Sequence, residues 1–129
     1  MKLLVATDGK NKSYKAVEMA FRTSLGFDCP LAILFVVAPD SKMSKNETIK
    51  AGMRVLGRLK LKASGLGVEV ETMMEAGDPA QIIMDAAARM DVDAIFVGAS
   101  DGGGFMKSLK KSTSHNVFNN AGCTVFIVK

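Results

Sequence analysis

The chain has 129 residues, 48% of them hydrophobic and 23% charged, which indicates one globular domain with its own core rather than a disordered segment. A net charge of +4 is too small at this length to indicate nucleic-acid binding by itself. No apolar run approaches the length of a membrane span, and the chain opens on a strand-like segment, so we expect neither a membrane segment nor a secretory signal.

The first third of the chain alternates between apolar runs and an amphipathic segment. We predict a buried strand over residues 1–7 and a helix over residues 11–25, with Gly26 as its stop. Residues 31–37 (LAILFVV) are apolar without interruption. Such a run is typical of a strand covered on both faces, as in a parallel sheet.

A long helix is predicted next, over residues 44–64. Its apolar stripe is formed by Ile49, Met53, Leu56, Leu59 and Ala63. Gly52 and Gly57 should weaken this helix by about 1 kcal/mol each relative to alanine. The segment from residue 42 to residue 62 contains seven lysines and arginines and only one acid, Glu47. A solvated helix face is the favoured interpretation, and a surface for RNA, anionic lipid or an acidic partner is the alternative.

The second half continues the alternation. Strands are predicted over residues 68–74, near a sheet edge, over 93–97 and over 124–128, and a short helix over 113–120. The remaining helix has a clear start, because Asp78 can cap it, Pro79 fits its first turn and Gln81 can reach back to the cap. The order βαβαβαβαβ predicts a parallel sheet with right-handed crossovers, whose ligands bind beyond the carboxyl ends of the strands.

A glycine-rich loop follows the fourth strand. It starts at Gly98, contains Gly102 to Gly104, and ends in three lysines and the hydroxyl run Ser112-Thr113-Ser114. Such a loop before a helix can hold a phosphate, but it can also be a plain connector. If the first and fourth strands are neighbours, this loop faces Asp8-Gly9 across one crevice.

Four segments together resemble a known family. They are MKLLVATDGK, AGDPAQIIMDAA, VDAIFVGAS and AGCTVFIV, which resemble the universal stress protein family in that order and over essentially the whole chain. The resemblance implies a single domain over residues 1–129, with an open five-stranded parallel sheet of order 3-2-1-4-5 and helices on both faces. This is a Rossmann-like fold of the adenine nucleotide alpha hydrolase type. It also implies a cytoplasmic homodimer that acts in stress tolerance, and many members, though not all, bind ATP.

The ATP-binding members carry glycine, two residues, a second glycine, nine residues, and then glycine with a hydroxyl residue. The resemblance places Gly98 at the first position, Asp101 at the second, Lys111 at the third and Ser112 at the hydroxyl, followed by Thr113. The spacing is intact, but two of the three glycines are replaced. A carboxylate at Asp101 would oppose phosphate by roughly 1–4 kcal/mol, and Lys111 lacks glycine's backbone freedom.

The same resemblance places Asp8 beside the adenosine and the backbone near Val36 and Val37 against the adenine. Asp8 could instead simply turn the chain after the first strand. ATP, with its magnesium, is therefore the cofactor that the resemblance implies, and an empty crevice is the alternative. No catalytic triad, paired carboxylates or metal cluster stands out, so we expect at most very slow ATP hydrolysis.

Other chemistry-bearing residues have plainer interpretations. His115 is the only histidine; it could titrate near a phosphate, but a surface or packing role is favoured. Ser112, Thr113 and Ser114 are better candidates for helix caps than for nucleophiles. Cys29 and Cys123 have no metal-ligand spacing and are expected to be reduced structural thiols.

Two functions remain open from the sequence. The first is a dimeric, cytoplasmic stress-response module with an adenine-nucleotide crevice. The second is a member without nucleotide that acts only through protein contacts. In either case we expect a homodimer through the C-terminal strand, because an exposed apolar edge strand invites pairing with another chain. Nucleic acid and membrane are not expected partners.

Overall fold

The computed structural model describes residues 1–39, 42–99 and 113–129. Its elements, in chain order, are β1 (Leu3–Thr7), α1 (Asn11–Phe27), β2 (Leu31–Val37), α2 (Lys45–Leu66), β3 (Val70–Ala76), α3 (Pro79–Met90), β4 (Ala94–Gly98), α4 (Thr113–Asn120) and β5 (Thr124–Val128).

The five strands form one parallel sheet in the order β3-β2-β1-β4-β5. Alternate residues of β1 face opposite sides. Leu3 and Val5 pack with residues of α1 and α2, whereas Leu4 and Ala6 pack with α3 and α4. The sheet is therefore covered by two helices on each face, and the predicted fold class and strand order are confirmed.

The stop of α1 differs from the prediction. The helix passes through Gly26 and ends at Phe27, after which Asp28 adopts the left-handed conformation with φ of 51°. Aspartate tolerates this conformation, so glycine is not needed to end the helix. Leu25, the last residue of the predicted helix, is 45% exposed, because the inward stripe ends at Ser24.

The apolar stripe of α2 also differs from the prediction in its first half. Leu56, Leu59 and Ala63 are buried as expected, but Ile49 and Met53 are exposed and Thr48 and Gly52 take their place. The reason is that Gly52 lies against Phe35 of β2 and Met74 of β3. The lack of a side chain at Gly52 lets α2 approach the sheet there, which turns the neighbouring apolar side chains outward.

The start of α3 follows the prediction at Asp78, whose carboxylate accepts a hydrogen bond from the Gln81 N–H at 3.1 Å. The expected return contact is absent among the described residues, because Gln81 Nε2 donates to Asp85 instead. β3 lies at the sheet edge, as predicted, with most of its residues half-buried.

The two faces of the sheet carry opposite charge. Six exposed cations lie along α2, and five acids lie on β3, α3 and the turn after α3: Glu71, Glu75, Asp78, Asp85 and Asp91. Arg89 of α3 pairs with Glu75 at 2.6 Å. No helix in the described residues is long and apolar enough to cross a bilayer.

Candidate functional site

The strands separate at the carboxyl end of β1. Pairing between β1 and β4 stops at Val5 and Phe96, although the two strands continue to Thr7 and Gly98. Pairing between β1 and β2 stops at Thr7 and Phe35, two residues before β2 ends. The winding direction of the sheet reverses between β1 and β4, so this opening is the place where such folds bind ligands.

Asp8 stands at the edge of this opening, directly after β1. Its Oδ1 accepts a hydrogen bond from the Lys10 N–H at 2.9 Å and another from the Ser13 hydroxyl at 2.9 Å. Its Oδ2 has no partner among the described residues. Oδ1 of Asp8 therefore stabilises the turn between β1 and α1, and Oδ2 is available to a ligand.

Val36 and Val37 extend beyond the end of β1. The Val36 side chain is 3% exposed and packs against α3 and α4, and the Val37 carbonyl accepts a hydrogen bond from Gly77 at 3.1 Å. On the β1 side these residues have no strand neighbour in the described structure. The backbone of this segment is thus unpaired on the β1 side, and its contact with an adenine stays a prediction.

Gly98 has a packing role that the sequence did not reveal. A Cβ atom on Gly98 would lie 2.8 Å from the carbonyl oxygen of Lys12 and 3.3 Å from Cα of Ser13. Glycine at this position is therefore required by the close approach of α1, whatever the loop after β4 binds.

Ser13 is the second residue that the sequence analysis missed. Its side chain is fully buried, and its hydroxyl contacts both Asp8 and the Thr7 hydroxyl. A signal was present, because Ser13 precedes Ala16, Val17 and Ala20 on the inward face of a helix. A polar residue on that stripe needs hydrogen-bond partners, and here they lie at the end of β1.

The start of α4 carries another polar group of interest. Thr113 is 2% exposed, and its Oγ1 has no hydrogen-bond partner within the described ranges. Ser114 is also buried, whereas His115 is exposed. The other predicted loop positions, Asp101, Lys111 and Ser112, lie outside the described residues, as do Gly102 to Gly104.

The two cysteines are free thiols, as expected, with Cys29 buried and Cys123 half-buried. Partial burial raises the pKa of the Cys123 thiol, and the negative charge of Asp93 raises it further. No group of three or more metal-binding side chains occurs among the residues that the structure describes.

The sequence model of the universal stress protein family matches residues 1–129. The chain belongs to this family. The universal stress protein YxiE of Bacillus subtilis is 32% identical to it over 99% of this chain and 98% of the relative. The family resemblance of the four segments is thereby confirmed.

Solved universal stress protein structures share the fold. One, in complex with cAMP, has a TM-score of 0.81 at 23% identity and covers 100% of this chain and 97% of the other. Another, from Archaeoglobus fulgidus in complex with dAMP, has a TM-score of 0.78 at 21% identity, with coverage of 100% and 98%. These structures show that the chain has the universal stress protein fold.

Proposed function

We propose that this universal stress protein binds an adenine nucleotide in the opening beyond β1 and β4, as the effector of a cytoplasmic stress-response module. The observation that carries the proposal is the buried Thr113 hydroxyl, which lacks a partner among the described residues. An unpaired buried hydroxyl costs about 1–3 kcal/mol. A ligand that accepts or donates a hydrogen bond there would recover this cost.

The edges of the opening suit the parts of a nucleotide. Asp8 Oδ2 is free among the described residues to accept a hydrogen bond from a ribose hydroxyl, and the unpaired backbone edge of Val36 and Val37 can face the adenine. Thr113 begins α4, and the N-terminus of a helix favours a phosphate. The structural neighbours bound to cAMP and dAMP support the same class of ligand.

Among adenine nucleotides, the sequence favours one phosphate over three. Asp101 and Lys111 stand where the ATP-binding members have glycine, so the outer phosphates of ATP meet a carboxylate and a stiffer backbone. Magnesium bound to ATP would offset part of that repulsion. ATP with magnesium is therefore the weaker ligand within this proposal.

The second candidate function is a module that acts through protein contacts alone. It is favoured by β5, an edge strand on which Phe126 is 45% and Ile127 41% exposed. Such an edge suits a homodimer, to which an unknown protein partner would bind. The two functions share the same dimer and differ in whether the opening is occupied.

Calorimetric titration of AMP, cAMP and ATP with magnesium into the full chain separates them. We expect AMP or cAMP to bind, and Thr113→Val to weaken that binding at least tenfold while leaving the unliganded protein as stable as before or more so. Thr23→Val is the matched control, because Thr23 is only half-buried on α1 and its hydroxyl donates a hydrogen bond to the Met19 carbonyl. Absence of binding by all three nucleotides, or equal affinity of the Thr113→Val protein, contradicts the nucleotide function.

A further inference from the structure

A further cavity lies between α1, α2 and the carboxyl end of β1. It has a volume of about 380 Å³. This volume falls within the range of small-molecule sites in proteins. Asp8, Val36, Val37, Gly98 and Thr113 do not line it, so it is separate from the proposed nucleotide site.

The floor of this cavity is apolar. Val55 and Leu59 of α2 line it from one side, and Gly9, directly after β1, lines it from the other. Gly9 has φ of 85°, and a Cβ atom there would lie 2.9 Å from Val55 Cγ2. The turn after β1 is therefore held close against α2. The buried Thr7, which also lines the cavity, already uses its hydroxyl in hydrogen bonds to Ser13 and to the Gly9 N–H, so Val55 and Leu59 supply the apolar wall.

The rim is cationic. Arg58 and Lys62 are one turn apart on α2, and both line the cavity. The Lys62 ammonium donates a hydrogen bond to the Tyr14 hydroxyl at 2.7 Å and lies 4.9 Å from the centre of that ring. Tyr14 thus holds one cation of the pair at the cavity mouth and contributes an aromatic wall.

Neither of these two cations forms an ion pair with a described residue. Arg58 makes no hydrogen bond or ion pair with any described residue, and no acidic side chain lines the cavity. Like charges four residues apart on a helix repel each other. An anion between the guanidinium and the ammonium would remove this repulsion and gain charge-assisted hydrogen bonds from both.

We propose that this cavity binds a small organic oxyanion, a carboxylate or phosphate monoester with a compact apolar or aromatic body. The charged end would lie between Arg58 and Lys62, and the body would lie on Val55 and Leu59 beside the Tyr14 ring. An inorganic anion would satisfy the cations but leave the apolar floor uncovered. A neutral aromatic molecule would cover the floor but leave the cations unpaired.

Benzoate, phenyl phosphate, inorganic phosphate and benzamide, titrated at low ionic strength and followed by amide NMR shifts, test this site. We expect benzoate or phenyl phosphate to bind in the millimolar range, with saturable shifts at Gly9 and Leu59, and at least tenfold more tightly than benzamide or inorganic phosphate. Stronger binding of benzoate assigns a carboxylate ligand, and stronger binding of phenyl phosphate assigns a phosphate monoester.

The paired variants R58Q/K62Q and K50Q/R54Q supply the matched control. Each removes two cations four residues apart from the exposed surface of α2, but Lys50 and Arg54 do not line the cavity. We expect the first variant to lose at least tenfold in affinity and the second to change less than twofold. Equal losses in both variants, benzamide binding as tight as benzoate, or no saturable shifts would overturn the proposal. All variants carry exposed substitutions, and a thermal melt of each verifies the fold.

Discussion

A Cβ atom on Gly52 would lie 2.9 Å from Cδ1 of Phe35, so the middle of α2 touches β2 through backbone. At Gly57, in the same helix, a Cβ atom would meet no atom of a neighbouring element within 4 Å in the part of the chain that the structure describes. The two glycines therefore have opposite roles, although sequence analysis assigned both the same cost.

Gly57→Ala should stabilise the protein by about 1 kcal/mol, because alanine favours the helix and meets nothing. Gly52→Ala gains the same propensity but crowds Phe35 and Met74, and overpacking costs about 1–3 kcal/mol. We expect Gly52→Ala to be less stable than the parent. Urea denaturation of the two variants measures the change in the free energy of unfolding at each position. A gain of stability at both positions would contradict the close approach of Gly52 to the sheet.

The Asp78 cap predicts a loss of about 0.5–2 kcal/mol for Asp78→Ala, because the Gln81 N–H then loses its acceptor. Asp78→Asn keeps an oxygen at the same place and should retain most of the stability. Urea melts of the pair test the cap directly. If both substitutions cost the same, the charge of Asp78 matters and its capping bond does not.

Much of this fold could be predicted from the sequence, because its signals are local. Apolar runs at 31–37 and 93–97, and the Asp78-Pro79 start, each depend on neighbouring residues alone. The misplaced features, the exposed Met53 and the helix passing through Gly26, depend on where α2 and α1 meet the sheet. Those contacts are tertiary, and helical periodicity does not report them.

In the candidate site, too, some features could be predicted from the sequence and others depend on tertiary contacts. Asp8 and the β2 backbone were placed by the strand order, which the family resemblance implies and βα alternation alone does not fix. The packing of Gly98 on α1 was not foreseen, because residues more than 80 positions apart in the chain meet there. The burial of Ser13 had a local signal, its place on the inward stripe of α1. The Arg58–Lys62 cavity was hidden within a charged segment that resembled an ordinary solvated helix face.

The edge strand β5 predicts a homodimer that Ile127→Lys converts to monomer. Ile127 is exposed, whereas Val125 packs partly against the core, so lysine at Val125 would disturb folding as well as pairing. Leu61→Lys is the control, because Leu61 is 76% exposed on α2. Light scattering should show a dimer for the parent and the control. A monomeric parent at high concentration would exclude this interface.

The Cys123 thiol should react slowly with iodoacetamide, because burial and the charge of Asp93 raise its pKa and only the thiolate is nucleophilic. The alkylation rate of Cys123 should continue to rise with pH above the pKa of an ordinary thiol, because its thiolate forms at higher pH. Asp93→Asn should lower the pKa and speed alkylation near pH 8, while Asp91→Asn, which removes a similar charge nearby, should have less effect. Equal rates in all three proteins would assign the slow reaction to access alone.

Restoring the family glycines should strengthen ATP binding. Two penalties of about 1–2 kcal/mol each, at Asp101 and Lys111, correspond to roughly 30- to 1,000-fold in affinity. Calorimetry with magnesium-ATP compares the parent with the Asp101→Gly, Lys111→Gly protein, and AMP serves as the control ligand that lacks the outer phosphates. Tight ATP binding by the parent, unimproved by the double change, would mean that the lysines and Gly102 to Gly104 already hold the phosphates.

The first turn of α1 contacts both sides of the opening between β1 and β4. On the β1 side, the Ser13 hydroxyl donates a hydrogen bond to the Asp8 carboxylate. On the β4 side, the Lys12 carbonyl oxygen and Ser13 Cα lie close against Gly98. This turn therefore connects β1 to β4. A ligand that moves the two strands apart must either lengthen the hydrogen bond between Ser13 and Asp8 or separate α1 from Gly98. The first turn of α1 then limits how wide a ligand the opening admits. A spectroscopic label on the exposed Asn11 would report that width from outside the site.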